Sequence, residues 1–110
     1  MEICEAQRIV REHLEKIGYT KIETTPTHAF LHLVEEVGEV SRSLLYKETD
    51  RKSIPATTEP SELEEEVADI FWQTLKLASY LNLDLETIFV KKYEKNKAKG
   101  QLRNRLKKLK

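Results

Sequence analysis

Two helix-length segments of this chain each carry an apolar stripe with an acidic row beside it. In residues 27–46, Phe30, Leu33, Val34, Val37, Val40, Leu44 and Leu45 recur at helical spacing. At about 100° per residue, His32, Glu36, Glu39 and Ser43 fall together on one flank of that stripe, and Glu35 falls on the other side beside Arg42. In the segment that begins at Ser61, the stripe is Leu63, Val67, Ile70, Phe71, Thr74, Leu75, Ala78 and Leu81, and the flank is Glu62, Glu66, Asp69 and Gln73. Glu36 with Glu39, and Glu66 with Asp69, are i, i+3 pairs, so both members of a pair project from one side of their helix. Neither pair has a Lys or Arg on its own flank within one turn. If the two helices lie antiparallel, the four carboxylates face one another and repel unless a cation sits between them. The pattern predicts an all-α, four-helix bundle-like domain with a metal-binding acidic cleft.

The remaining elements follow from stripes and caps. Ile3, Ile9, Val10, Leu14 and Ile17 predict a helix over 2–17, ended by Gly18. After a connection over Tyr19–Thr25, Thr25 suits an N-cap and Pro26 a first helical turn. Gly38 costs a helix interior about 1 kcal/mol relative to Ala, which close approach of another helix would explain. Residues 47–60 read as a polar loop, and Ser61 with Glu64 as a capping box. Asp84 suits the N-cap of a helix over 85–99, with Leu85, Ile88, Phe89, Tyr93 and Asn96 on its inner side and Gly100 at its end. Leu102, Leu106 and Leu109 among basic residues suggest a short amphipathic helix beyond it. The expected organisation is one helical domain over 1–100 and a basic C-terminal extension over 101–110.

At 110 residues, 35% of them charged, such a domain buries a modest core and is expected to complete it by oligomerising, as a dimer or tetramer. No apolar run approaches the ~18–20 residues of a membrane span. The N-terminus lacks a basic-then-apolar signal, and the single cysteine, Cys4, has no partner for an internal disulfide. The expectation is a cytoplasmic protein with a reduced, buried or half-buried Cys4. The formal net charge of zero conceals an asymmetry. Residues 1–90 carry 9 Lys/Arg against 18 Asp/Glu, a net of −9, and residues 91–110 carry 10 against 1, a net of +9. The acidic body calls for a cation and the basic end for an anion. Zinc-type Cys/His clusters, glycine-rich phosphate loops and Ser-His-Asp signatures do not occur.

Carboxylates alone are hard oxygen donors. They suit Mg²⁺, with Mn²⁺ possible, better than structural zinc. Magnesium in such sites commonly meets substrate phosphates. Phosphate chemistry also needs fixed cations beside the developing charge, and Lys92, Asn96 and Lys99 form one row along the fourth helix. His32, one turn before Glu36, is placed to touch a substrate or to serve as a hydrogen-bonded structural residue. Trp72 falls at the edge of its core stripe, where it packs in the core or between subunits.

The order Glu35-Glu36-Val37-Gly38-Glu39, then 26 residues, then Glu66-Val67-Ala68-Asp69 resembles the E-E-x-x-E…E-x-x-D signature of the MazG-like, all-α nucleoside triphosphate pyrophosphohydrolases. Lys92-Tyr93-Glu94-Lys95-Asn96-Lys97-Ala98-Lys99 is similar to the K-x-x-x-N-x-x-[KR] motif of that superfamily's fourth helix. The resemblance covers roughly residues 2–100. It implies a homodimer or homotetramer and Mg²⁺-dependent cleavage of a (deoxy)nucleoside triphosphate to monophosphate and pyrophosphate, as in house-cleaning enzymes. It implies that Glu36, Glu39, Glu66 and Asp69 are catalytic metal ligands and that Lys92, Asn96 and Lys99 bind phosphate or ribose. Two other readings stand beside it. Phosphoribosyl-ATP pyrophosphohydrolase is a related all-α enzyme, though the Val37-Gly38 pair and the Lys92/Asn96 row fit it less well. A non-catalytic helical module binding nucleic acid or a protein through its basic end would show strongly salt-dependent binding and no Mg²⁺-dependent turnover. Nucleic acid is the less favoured partner, and no membrane is expected.

Overall fold

The computed structural model describes residues 1–18, 25–48 and 63–109. Within them the chain forms four α-helices: α1 (Ile3–Lys16), α2 (Pro26–Glu48), α3 (Leu63–Tyr80) and α4 (Leu85–Lys108). The described residues contain no strand, so the all-helical expectation holds. The Ser61 capping box, and the parts of the two connections within 19–24 and 49–62, lie outside the described residues.

Local chemistry sets most of the helix ends. The backbone N–H of His28 donates to Thr25 Oγ1 at 3.2 Å, the expected N-cap of α2. Gly18 takes φ +68°, which ends α1 with its N–H on the Glu15 carbonyl. At the end of α3, Asn82 adopts φ 54°, the Leu83 N–H bonds the Ala78 carbonyl and the Asn82 N–H bonds the Ser79 carbonyl. That pairing is a Schellman closure with Asn in the left-handed position. Asp84 then caps α4: its Oδ1 accepts from the Thr87 N–H at 3.4 Å and its Oδ2 from the Thr87 hydroxyl at 2.9 Å. These bonds, chiefly the one from the Thr87 hydroxyl, hold the Asp84 carboxyl below its ordinary range.

α2 packs on α3, α3 on α1, and α1 on α4. The core is small. Val10 and Leu14 of α1 meet Leu75 of α3, with Ala6, Trp72 and Leu85 packed around them. The Trp72 ring stands edge-on to His13, with centroids 5.4 Å apart. Gln7, which the periodicity does not single out, is buried and ties α1 to the turn before α4. Its Nε2 donates to the Leu83 carbonyl, and its Oε1 accepts from the Leu85 N–H at 3.2 Å.

Four expectations are corrected. First, α4 does not stop at Gly100 but continues to Lys108. Four lysines and arginines and two leucines over 101–108 keep good helix formers on both sides of one glycine, and its roughly 1 kcal/mol cost does not break so long a helix. Second, Ile88, Phe89 and Tyr93 of the expected inner side are exposed; among the described residues α4 packs on α1, and Leu85 and Glu86 at its start are its half-buried positions. Third, among the described residues Gly38 has nothing within 4 Å of where a Cβ would stand, so none of the described helices approaches it closely. Fourth, Cys4 is exposed rather than buried, with its Sγ 3.4 Å from Glu2 Oε2. That hydrogen bond is the main cause that pushes its thiol up from the ordinary range.

The largest departure concerns which faces meet. Phe30, Val34, Val37, Leu44 and Leu45 of the α2 stripe are exposed, as are Val67 and Phe71 of α3, with Phe30 at 51% and Phe71 at 55%. Beside Ala29, Leu75 and Ala78, the two helices bury their polar flank: Ser43, Glu66, Gln73 and Lys76 are buried, and His32, Glu36 and Glu39 are half-buried.

Candidate metal and nucleotide site

The seam between α2 and α3 gathers the acidic rows. Lys76, near the end of α3, lies 2.8 Å through its Nζ from Nδ1 of His32, near the start of α2, so the two helices run antiparallel. That direction brings Asp69 of α3 close enough for its charge to act on Glu36 of α2. Glu35 points away and is exposed. The two rows are continuous polar ridges: His32, Glu36, Glu39 and Ser43 on α2, and Glu66, Asp69, Gln73 and Lys76 on α3. Lys76 extends the α3 row by one more i+3 step from Gln73, a spacing that places it on the row but says nothing of its burial.

Electrostatics and hydrogen bonding both mark this seam as incomplete. The Glu36 carboxyl is pushed up from its ordinary range, first by burial, then by the charges of Glu39 and Asp69; His32 pulls the other way. Glu36 Oε2, Glu66 Oε2 and Gln73 Oε1 are buried with no hydrogen-bond partner among the described residues. Buried carboxylate oxygens without partners are costly, at about 1–3 kcal/mol or more each. Two of the three belong to the predicted quartet, one on each helix.

The donor set is all oxygen and fits a hard divalent cation that retains several waters. The carboxylates do not close into a tight cage. The described residues hold one group of three or more His, Cys, Asp or Glu ligand atoms all within 4.8 Å of one another, the exposed Glu2 and Cys4 with the half-buried Glu86, well away from the seam in sequence. Asp69 is exposed at the edge of the seam.

His32 lies where its spacing placed it. Its Nε2 is 3.5 Å from Glu36 Oε1, with the side chains 29% and 14% exposed, and its Nδ1 faces Lys76. Lys92, Asn96 and Lys99 are exposed on α4, which packs on α1 and shares no extended interface with α2. The quartet and the basic row are therefore not gathered into one packed cluster within a chain.

The comparisons with known proteins agree with this architecture. Residues 24–101 match the MazG nucleotide pyrophosphohydrolase domain. No curated protein and no solved structure gives a significant match. No described helix is long and apolar enough to cross a membrane. The matched region spans α2, α3 and α4 up to Gln101, and thus contains both carboxylate pairs and the Lys92 row. The chain belongs to the MazG nucleotide pyrophosphohydrolase domain family.

Proposed function

We propose that this protein is a divalent-cation-dependent pyrophosphohydrolase that cleaves a (deoxy)nucleoside triphosphate to the monophosphate and pyrophosphate, a house-cleaning reaction. The observation that carries the reading is a pair of buried carboxylate oxygens, one on Glu36 of α2 and one on Glu66 of α3, that have no hydrogen-bond partner among the described residues. Glu36 and Glu39 from α2 and Glu66 and Asp69 from α3 hold the ion, Mg²⁺ first and Mn²⁺ as a substitute. When bound, that ion supplies Lewis-acid polarisation of the phosphoryl oxygens at the scissile anhydride.

The chain's own residues do the rest. The four carboxylates fix where the triphosphate is held and keep one negative ridge on each side of it. His32, with both ring nitrogens turned to Lys76 and Glu36, supports a ligand rather than binding the nucleotide itself. A triphosphate brings about four negative charges to an acidic body, so Lys92, Asn96 and Lys99 neutralise and orient what the cation leaves over.

The test is a panel of ribo- and deoxynucleoside triphosphates with Mg²⁺, scored for pyrophosphate release. Glu39→Gln and Asp69→Asn keep size and remove charge, and each lowers turnover by about 10²-fold or more, with partial recovery at high Mg²⁺. Lys92→Ala lowers kcat/KM by roughly ten-fold. A panel with no Mg²⁺-dependent pyrophosphate release, or full turnover in Glu39→Gln, overturns the proposal.

A further inference from the structure

Lys76 is the most deeply buried charged side chain among the described residues, at 1% exposure. A charge so far from water has to be held by polar partners. An ammonium has three N–H groups and no lone pair, so in its 2.8 Å contact with His32 Nδ1 it can only donate. A neutral imidazole that accepts at Nδ1 carries its proton on Nε2. That Nε2 faces Glu36 Oε1 at 3.5 Å, while Glu36 Oε2 is left buried and without a hydrogen-bond partner among the described residues. Donation at this contact runs from Lys76 of α3 to His32 of α2, whose other ring nitrogen is turned to one oxygen of Glu36.

We propose that Lys76 is a positioning residue: through His32 it fixes the Nε2–H tautomer and ring orientation that occupy Glu36 Oε1, and so aims Glu36 Oε2 into the acidic seam as a ligand. The proposal rests on the cation-binding reading of the seam. Outer partners of this kind orient ligands and typically change metal affinity by about 10–100-fold when removed. Lys76 lies outside both carboxylate pairs, and nothing in its charge alone suits it to a cation site. A bare positive charge near the seam repels the incoming ion. Removing it would tighten binding if charge were its only contribution, so the sign of the effect separates positioning from simple charge balance.

The experiment has two readouts. The first is ¹⁵N NMR of the His32 ring in the metal-free wild type, expected to show a protonated Nε2 and a bare Nδ1, with a mixture of tautomers in Lys76→Met. A wild-type ring protonated at Nδ1, alone or together with Nε2, overturns the proposal whatever the variants do. The second is calorimetric titration with Mn²⁺ of wild type, Lys76→Met, His32→Gln and the double variant. Lys76→Met is expected to weaken Mn²⁺ binding about ten-fold. The Gln amide donates to Glu36 on its own, so in the His32→Gln background Lys76→Met is expected to change affinity by less than about two-fold. Tighter binding in Lys76→Met, or an equal loss in both backgrounds, overturns the role given to Lys76 and leaves the metal site standing. A wild type that binds no Mn²⁺ overturns the metal site, and with it the role of Lys76.

Discussion

At the scale of single residues, the acidic seam exchanges stability for a binding site. Glu66 is buried with one carboxylate oxygen unpartnered among the described residues, and across the seam Glu36 is pushed up by burial and by Glu39 and Asp69. Glu66→Gln removes one charge from this crowd at almost constant volume. We expect the metal-free variant to melt a few degrees higher than wild type, since about 1 kcal/mol corresponds to roughly 4–8 °C in a domain of this size. It should also lose most of the rise in Tm that millimolar Mg²⁺ gives the wild type. Thermal scans with and without Mg²⁺ check both halves, and an unchanged Mg²⁺ response would remove Glu66 from the ligand set. The half-burial of His32, Glu36 and Glu39 and the burial of Glu66 follow flanks that residue identity and helical spacing made legible, because chemistry and angle are both written in the sequence. Lys76 was not legible in the same way. A lone Lys at the end of a polar row reads as surface, and its burial depends on where α2 crosses α3.

At the scale of the elements, caps were readable and burial was not. Thr25, Gly18 and Asp84 act where their side chains or backbone freedom predict, because a cap is a contact within a few residues. Gly100 was misread because a glycine marks a helix end only when the flanking sequence also stops favouring helix. The two glycines now make opposite predictions. Gly100→Ala adds a Cβ that meets nothing within 4 Å inside a continuous helix, and should stabilise α4 by up to about 1 kcal/mol. Gly18→Ala forces a side chain onto φ +68° and should destabilise by about 1 kcal/mol. Urea titrations of the two variants against wild type decide the signs. Asp84 carries a pH dependence of its own. Its folded-state carboxyl lies below the ordinary value of 3.8, so its cap stabilises α4 above that pH. The stabilisation is lost as pH falls through the lower folded value. Asp84→Asn keeps a capping side chain and should flatten this part of the Tm-versus-pH curve below pH 3.8.

At the scale of the whole molecule, one chain leaves too much undone. Its radius of gyration is 18.5 Å, where a compact chain of this length would have about 13 Å. The order of packing, α2 on α3 on α1 on α4, leaves the stripe of Phe30, Val34, Val37 and Phe71 bare on one side. It leaves α4 without a buried residue on the other. A patch of that kind marks an interface, and the acidic body and basic end give two copies of the chain complementary surfaces. The stripe was readable from periodicity, but periodicity does not say whether an apolar face is covered by its own chain or by another. We expect sedimentation to find at least a dimer at micromolar concentration, and Phe71→Asp to shift it toward monomer. A second copy also offers a way to bring Lys92, Asn96 and Lys99 beside the carboxylates, which packing within one chain does not. If the row of one subunit serves the quartet of the other, two inactive proteins can repair each other. Glu39→Gln mixed with Lys92→Glu forms hetero-oligomers in which one site receives both defects and the other neither. With random exchange in a two-fold dimer, about a quarter of wild-type turnover should return. Mixed subunits that exchange but recover no turnover would place the basic row and the quartet it serves in the same chain.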